Sequence, residues 1–408
     1  MRPRLTHFLL FVLVFSACAR GEPSSRDVTS GQRSVRGSAL SVGTDSIVAD
    51  RVFRIGELDG PPEYAFGQIA TITPAPDGGF YVCDGNDQLA RRYDEAGRFI
   101  RVVGRKGAGP GEYEGCYDMD VGPDSGLVVS DPYHGRLVVF GKDDAFVRVV
   151  PAVVGGGLRG EGAFFIDDAG RFWRRGWEID GERAETSEQN FPVAYSILDR
   201  DGSVVGKRRV PSPGPGPGRG FALCTNDGCY SAQPVDSMHS AGPNGSIVVA
   251  SPMAYRILVL DSSGTAKEVT RDAKPVAYAD AEFAEWEAWR EYFTRQTPQY
   301  PPVATPRTKP LIRDLRIDDI GRVWVKVHVT AEKRPIPPRK PGDQRPLLTW
   351  RERNTFDLFD AASGGYIGRI AFPYATEFMA SRGDRVWLRE EGESGEQLIG
   401  VYDLTSAK

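Results

Sequence analysis

DGGFYVCDGNDQLARRYDEAGRFIRVV, residues 77–103, reads as three strands and two turns. Asp77-Gly-Gly79 supplies the residue types a tight turn needs, because such turns require positive φ or local side-chain hydrogen bonds. Phe80-Tyr-Val-Cys-Asp84 is then a β-rich run. Leu89-Ala-Arg-Arg-Tyr-Asp94 is a second run. After a turn at Gly97 comes a third, Arg98-Phe-Ile-Arg-Val-Val103.

The same cadence recurs along the chain. The first turn and strand return as Asp124-Ser-Gly-Leu-Val-Val-Ser-Asp131, Asp168-Ala-Gly-Arg-Phe-Trp173, Asn244-Gly-Ser-Ile-Val-Val249, Asp319-Ile-Gly-Arg-Val-Trp-Val325 and Gly383-Asp-Arg-Val-Trp-Leu388. The second strand returns as Arg136–Phe140, Ala194–Asp199, Arg256–Asp261, Thr355–Asp360 and Leu398–Asp403. Counting the run before each first turn, a unit has four strands, and there are six units. A repeat of this kind predicts an all-β fold, a six-bladed β-propeller of four-stranded blades. The sixth unit runs out after Leu404 without an outer strand. Arg51-Val-Phe-Arg-Ile55, from the other end of the sequence, matches the missing strand and is expected to close the ring.

GRKGAGPGEYEG, residues 104–115, could be taken for a phosphate-cradling loop. Such a loop needs a helix N-terminus directly after it. No helical pattern follows, so the stretch is expected to be an inter-blade crossing, where glycine permits close backbone approach.

The start of the chain speaks to location. Arg2 and Arg4 precede an almost wholly apolar Leu5–Phe15, and Ser16-Ala17-Cys18 follows. This is the pattern of an export signal, too short to span a bilayer. Phe15–Cys18 resembles a bacterial lipobox, which implies lipidation of Cys18. Ala19 after the cysteine implies an outer-membrane address. The expected organisation is a signal at 1–17, a Ser/Gly/Arg-rich tether at 18–44 and the propeller at 45–408. The membrane is then touched only through the lipid. The net charge of −4 and the lack of a basic stripe argue against nucleic acid, and the chain is expected to be a monomer.

Four further cysteines fit two disulfides in an exported protein. Cys224 and Cys229 would close a turn, leaving Cys83 with Cys116. Zinc ligation is the competing reading, with loose spacing for it.

The units resemble bacterial six-bladed propellers of the NHL-repeat kind. Asp84-Gly-Asn-Asp-Gln-Leu-Ala-Arg-Arg-Tyr-Asp94 and Asp131-Pro-Tyr-His-Gly-Arg-Leu-Val-Val-Phe140 carry the likeness. Gly107-Ala-Gly-Pro-Gly-Glu-Tyr113 is similar to a Gly-Pro-Gly-Glu-aromatic junction of exported propeller lipoproteins. The resemblance implies fold and location more than activity. Some propellers of this kind are Ca²⁺-dependent lactonases, with an acidic and amide cluster at the channel mouth; the amide members have no match here.

Turn starts at 77, 124, 168, 244, 319 and 383 lie 47, 44, 76, 75 and 64 residues apart, against about 40–45 for a bare blade. The excess falls at 177–191, 210–234, 276–310 and 328–354. All four are connections on one face of the ring, where binding loops gather. One of them, Asp280–Arg295, reads as a helix between blades four and five, capped by Asp280. Phe283, Trp286, Trp289 and Phe293 form its apolar stripe, interrupted by Glu282. The stripe either docks the helix or forms an aromatic wall for a ligand. On the inner strands Asp118, Asp314 and Glu377 are expected at one level near that mouth, with Asp236 as an alternative to Met238. Converging carboxylates could bind Ca²⁺ or a cationic ligand, or stay hydrated.

Enzymatic signatures are weak. Neither an HExxH metal motif nor a Gly-x-Ser-x-Gly elbow is present, and His134, His239 and His328 stand in no catalytic spacing. The sequence favours a non-catalytic envelope lipoprotein that binds a protein, peptide or glycan. The alternative is a metal-dependent hydrolase or lactonase at the channel mouth.

Overall fold

In the computed structural model the chain is a six-bladed β-propeller. The structure describes residues 40, 46–123, 126–152, 164–177, 193–211, 222–225, 228–231, 238–296, 306–335, 342 and 344–406. The signal and Cys18 lie outside the described residues, as does the tether apart from Leu40.

From axis to rim, blade one is Ile69–Pro74, Phe80–Asp84, Leu89–Tyr93 and Phe99–Val103. Blade two is Asp118–Val121, Leu127–Asp131, Arg136–Phe140 and Phe146–Pro151. Blade three is Phe164–Ile166, Phe172–Trp177, Val193–Leu198 and Val204–Arg209. Blade four is Met238–Ala241, Ile247–Ala250, Arg256–Leu260 and Ala266–Thr270. Blade five is Ile312–Ile317, Arg322–Val327, Thr355–Asp360 and Tyr366–Ala371. Blade six takes Thr376–Arg382, Arg385–Glu391 and Gln397–Ser406 from the end of the chain, and Ile47–Ile55 as its outer strand. That strand runs antiparallel to Gln397–Ser406, from Ile47 opposite Ser406 to Ile55 opposite Ile399. The closure expected from Arg51–Ile55 is therefore present and four residues longer at its start. Leu40 is already buried against blades five and six, ahead of the expected boundary at 44.

Side-chain alternation along each strand explains why flat sheets become a ring. Successive residues face opposite sides, so each blade feeds two interfaces. Tyr81 and Cys83 pack toward blade two with Met119, Leu127 and Val129. Phe80 and Val82 pack toward blade six with Trp387, Ile399 and Val401. Blade four divides likewise, with Val248 and Ala250 toward blade five and Ile247 and Val249 toward blade three. Each fully buried apolar side chain contributes about 1.5–3 kcal/mol.

The turns are fastened by acidic side chains. In blade three the Asp167 carboxylate accepts the backbone N–H of Ala169 and Arg171, the Arg171 Nε at 2.7 Å and the Trp173 indole N–H at 2.8 Å. Asp318 in blade five accepts the equivalent bonds from Ile320, Arg322 and Trp324. Gly170 and Gly321 occupy the same slot at φ +75° and +83°, where a Cβ would be strained.

Cys83 and Cys116 are joined by a disulfide. It ties the second strand of blade one to the crossing into blade two. Cys224 and Cys229 are register partners in a two-stranded ribbon, Ala222–Thr225 with Gly228–Ser231; their side chains lie outside the described residues. The 104–115 stretch is the expected crossing. Its Glu112 carboxylate accepts the Gly109 N–H at 2.7 Å and pairs with Arg105, while Tyr113, fully buried, bonds Val103 O and Ala90 N. The glycine-rich loop thus binds its own glutamate.

The connections from the second to the third strand, and from one blade to the next, emerge together. Helix α1, Asp280–Gln296, belongs to the link between blades four and five. No helix among the described residues is long and apolar enough to cross a membrane.

Candidate functional site

The channel mouth comes first, because the sequence placed its acids there. Asp118, Asp314 and Glu377 pair with Ser130, Lys326 and Arg389 on the second strands of their blades. Thr71 and Met238 pair with Cys83 and Ala250 at the same step. By strand register these five positions share one step. Its chemistry is mixed in sign. Asp314 accepts the Arg316 Nε at 3.2 Å, and Glu377 is bridged by Arg389. Arg174 lies in the field of Asp118. Lys326 faces Asp314 and Glu377; burial, then the neighbouring Arg313, lowers its pKa to about 8. Among the described residues no group of three or more His, Cys, Asp or Glu side chains is placed to hold a metal ion. A cation there would have to displace arginines. Asp236 lies outside the described residues. The missed signal was one strand away: Lys326 and Arg389 stand opposite Asp314 and Glu377, while Asp118 faces Ser130.

Helix α1 shows why Glu282 interrupts its stripe. Ala279, rather than Asp280, is the N-cap, since its carbonyl accepts the first intrahelical bond from Phe283. Asp280 is the first helical residue, paired with Arg307 at the surface, and the Glu282 carboxylate reaches back to the Ala279 N–H at 3.3 Å. The same carboxylate bonds the Lys309 Nζ at 2.6 Å. Lys309 is buried, and its second partner is Glu352 at 2.9 Å. Glu352 also meets His328 Nδ1 at 3.1 Å and accepts the Val329 N–H. Burial pushes Glu352 upward, but the His328 bond and Lys309 outweigh it and bring it to about 2. Of the aromatic stripe, Trp289 is buried; Phe283 is half-buried between Tyr278 and Arg307. Trp286 is partly buried and meets Trp289 edge-on. The Phe293 side chain lies outside the described residues. Glu285 accepts two bonds from Thr349, at 2.6 Å each. So α1 is fastened to its own crossing and to the blade-five insertion.

Beside it, on the loop-rich face between blades four and five, opens a cleft of about 440 Å³. Its lining is built by three connections and an outer strand. Tyr255 comes from a turn of blade four, Arg271 to Val276 and Pro310 to Leu311 from the blade crossing, His328 to Thr330 from the blade-five insertion, and Arg369 from the outer strand. Asp357 organises the polar end. It is completely buried on the third strand of blade five. Arg369 gives it two hydrogen bonds, at 2.7 and 2.9 Å, the Tyr255 hydroxyl gives one at 2.6 Å, and Arg271 forms an ion pair with it at 2.8 Å. Burial opposes the charge on Asp357, yet the bonds from Arg369 and Tyr255 hold its pKa below the usual value. Arg271 also stacks on the Tyr366 ring, 4.3 Å away. None of these residues was singled out from sequence. Tyr255 and Asp357 are separated by 102 positions, and no local spacing announces the cluster.

No family model matches the chain, and no curated protein matches it. Solved structures do. A member of the duf4221 family from Bacteroides vulgatus aligns with a TM-score of 0.50 at 9% identity, over 89% of this chain and all of that one. An exported protein from Bacteroides fragilis aligns with a TM-score of 0.47 at 10% identity, over 90% and 97%. A gluconolactonase from Xanthomonas campestris aligns with a TM-score of 0.40 at 12% identity, over 91% and 99%. At these identities the likeness concerns the fold.

Proposed function

We propose that the protein is an exported, non-catalytic binding propeller, held at the bacterial outer membrane by a lipid on Cys18, whose loop-rich face receives a protein, peptide or glycan. The observation that carries this reading is the asymmetry of the ring. The described insertions emerge on one face and wall a cleft there. Among the described residues the other face carries tight turns such as Asp94–Gly97 and Asp167–Gly170. A rigid scaffold with loops on one side is the usual layout of a binding protein.

The test is photocrosslinking in cells with a reactive residue at exposed Thr330, in the cleft lining, or at Ala96, in a turn of the opposite face. Adducts from position 330 and none from 96 are expected. Equal adducts from both, or none from either, would sink the reading. In the same cells Cys18→Ser should shift the protein from the membrane to the soluble fraction, and unchanged membrane association would remove the anchor.

A further inference from the structure

We infer that the cleft between blades four and five takes the C-terminal carboxylate of a peptide whose last side chain is aliphatic. The inference rests on the loop-rich face being the binding face.

Charge is the first argument. Asp357 is sealed from solvent, whereas the side chains of Arg271 and Arg369 that hold it are 36% and 45% exposed. Each guanidinium has five N–H groups. Asp357 takes two from Arg369 and is ion-paired with one nitrogen of Arg271, which also bonds Tyr366; both guanidiniums have more N–H groups than these partners use. Two arginines against one carboxylate leave one positive charge. Exposed Lys274 and Asp272 at the rim cancel each other. Glu282 and Glu352 share Lys309, with Arg313 as the second cation in their neighbourhood, and burial keeps His328 below its ordinary pKa. A single carboxylate balances this end; a phosphate approaching two charges would not. Its bonds to arginine would be charge-assisted, the stronger kind.

Shape and chemistry of the walls are the second argument. Val276, Pro310, Leu311 and Val329 add partly exposed aliphatic side chains to an otherwise polar lining, with Val327 buried behind them. Tyr255, the aromatic residue of the lining, is buried with its hydroxyl committed to Asp357. It offers no open ring face on which a sugar could stack. The volume lies within the range of about 300–1,000 Å³ usual for ligand sites. It has room for the last one or two residues of a peptide.

Preorganisation is the third. Asp357 and the Tyr366 ring fix both guanidiniums before any ligand arrives. Less conformational freedom is then lost on binding.

The experiment uses the detergent-solubilised full-length protein and fluorescein-labelled tetrapeptides ending in leucine, isoleucine or valine. Each is prepared as the free acid and as the C-terminal amide. Fluorescence anisotropy should show the acids binding about tenfold tighter or more, as expected for loss of charge-assisted bonds. Arg369→Gln should abolish the preference. Because that change leaves Asp357 with one arginine, Asp357→Asn/Arg369→Gln is measured beside it, and it should also lose the preference while melting cooperatively. Acid and amide within twofold of each other, oligogalacturonate bound tighter than every peptide, or no peptide bound below millimolar would each overturn the inference. Adducts from position 330 that persist in those cases would leave the binding face standing. Loss of the adducts as well would take both readings down.

Discussion

Trp173 and Trp324 donate their indole N–H to an aspartate six residues upstream. Trp387 occupies the same strand position in blade six, but the residue six before it is Ser381, and its buried N–H has no partner. The repeat is thus kept by shape and relaxed in hydrogen bonding. His239 shows the same relaxation with a measurable consequence. It sits on the inner strand of blade four, edge-on to Tyr195, with both ring nitrogens buried and unpartnered. Burial, then the charge of Arg175, lowers its pKa from 6.5 to about 4. The unfolded chain therefore binds a proton between pH 6.5 and 4 that the folded chain refuses. Stability should be complete above pH 6.5 and fall on acidification toward 4, by about 3 kcal/mol at most. Urea melts at pH 7.5 and 4.5 check this against His239→Phe, which should lose less. An equal loss in both proteins would refute the assignment. That His239 stands in no catalytic spacing was legible in the sequence; its lack of partners was not, since its surroundings include Arg175 and Tyr195 from the neighbouring blade.

At the scale of elements, the anchoring of α1 is the feature that local pattern conveyed least. Its periodicity gave the helix and its stripe. The glutamate inside the stripe looked like an error of patterning because its partner, Lys309, follows the helix in the chain and is met only after the crossing folds back. Two carboxylates, Glu282 and Glu352, share that one buried ammonium. Such an arrangement stabilises only while it is complete, since removing one member strands the others. Lys309→Met should therefore cost about 3–5 kcal/mol. Hydrogen exchange should accelerate in 280–296 and 328–354 before the rest of the ring. A loss below about 1 kcal/mol, or uniform acceleration, would mean the lysine is not the anchor. The disulfide was more legible. Two cysteines at 83 and 116 were paired by elimination, and the packing of blade one on blade two supplies the reason: both residues lie in that interface.

The whole molecule is a ring closed by one hydrogen-bonded seam, and the seam was legible because a missing outer strand at one end matched an extra strand at the other. The charge pattern around the axis and in the cleft was not, because it arises from residues brought together across blades. Closure has an energetic consequence of its own. Ile47–Ile55 covers the edge of Gln397–Ser406 and sends Phe53 and Ile55 against Phe80 and Ile399 of the first interface. Without it the third strand of blade six becomes an exposed edge, the kind that pairs with other chains. The lost burial and pairing amount to roughly 5 kcal/mol, comparable with the whole stability of a domain. A chain beginning at residue 57 should therefore lose its cooperative thermal transition and self-associate in sedimentation. Adding a synthetic peptide of residues 45–56 should restore both the transition and the monomer, because the peptide re-forms the seam without a covalent link. If the shortened chain melts as sharply and as high as the full one, blade six does not need its outer strand, and the ring is held by the inter-blade interfaces alone.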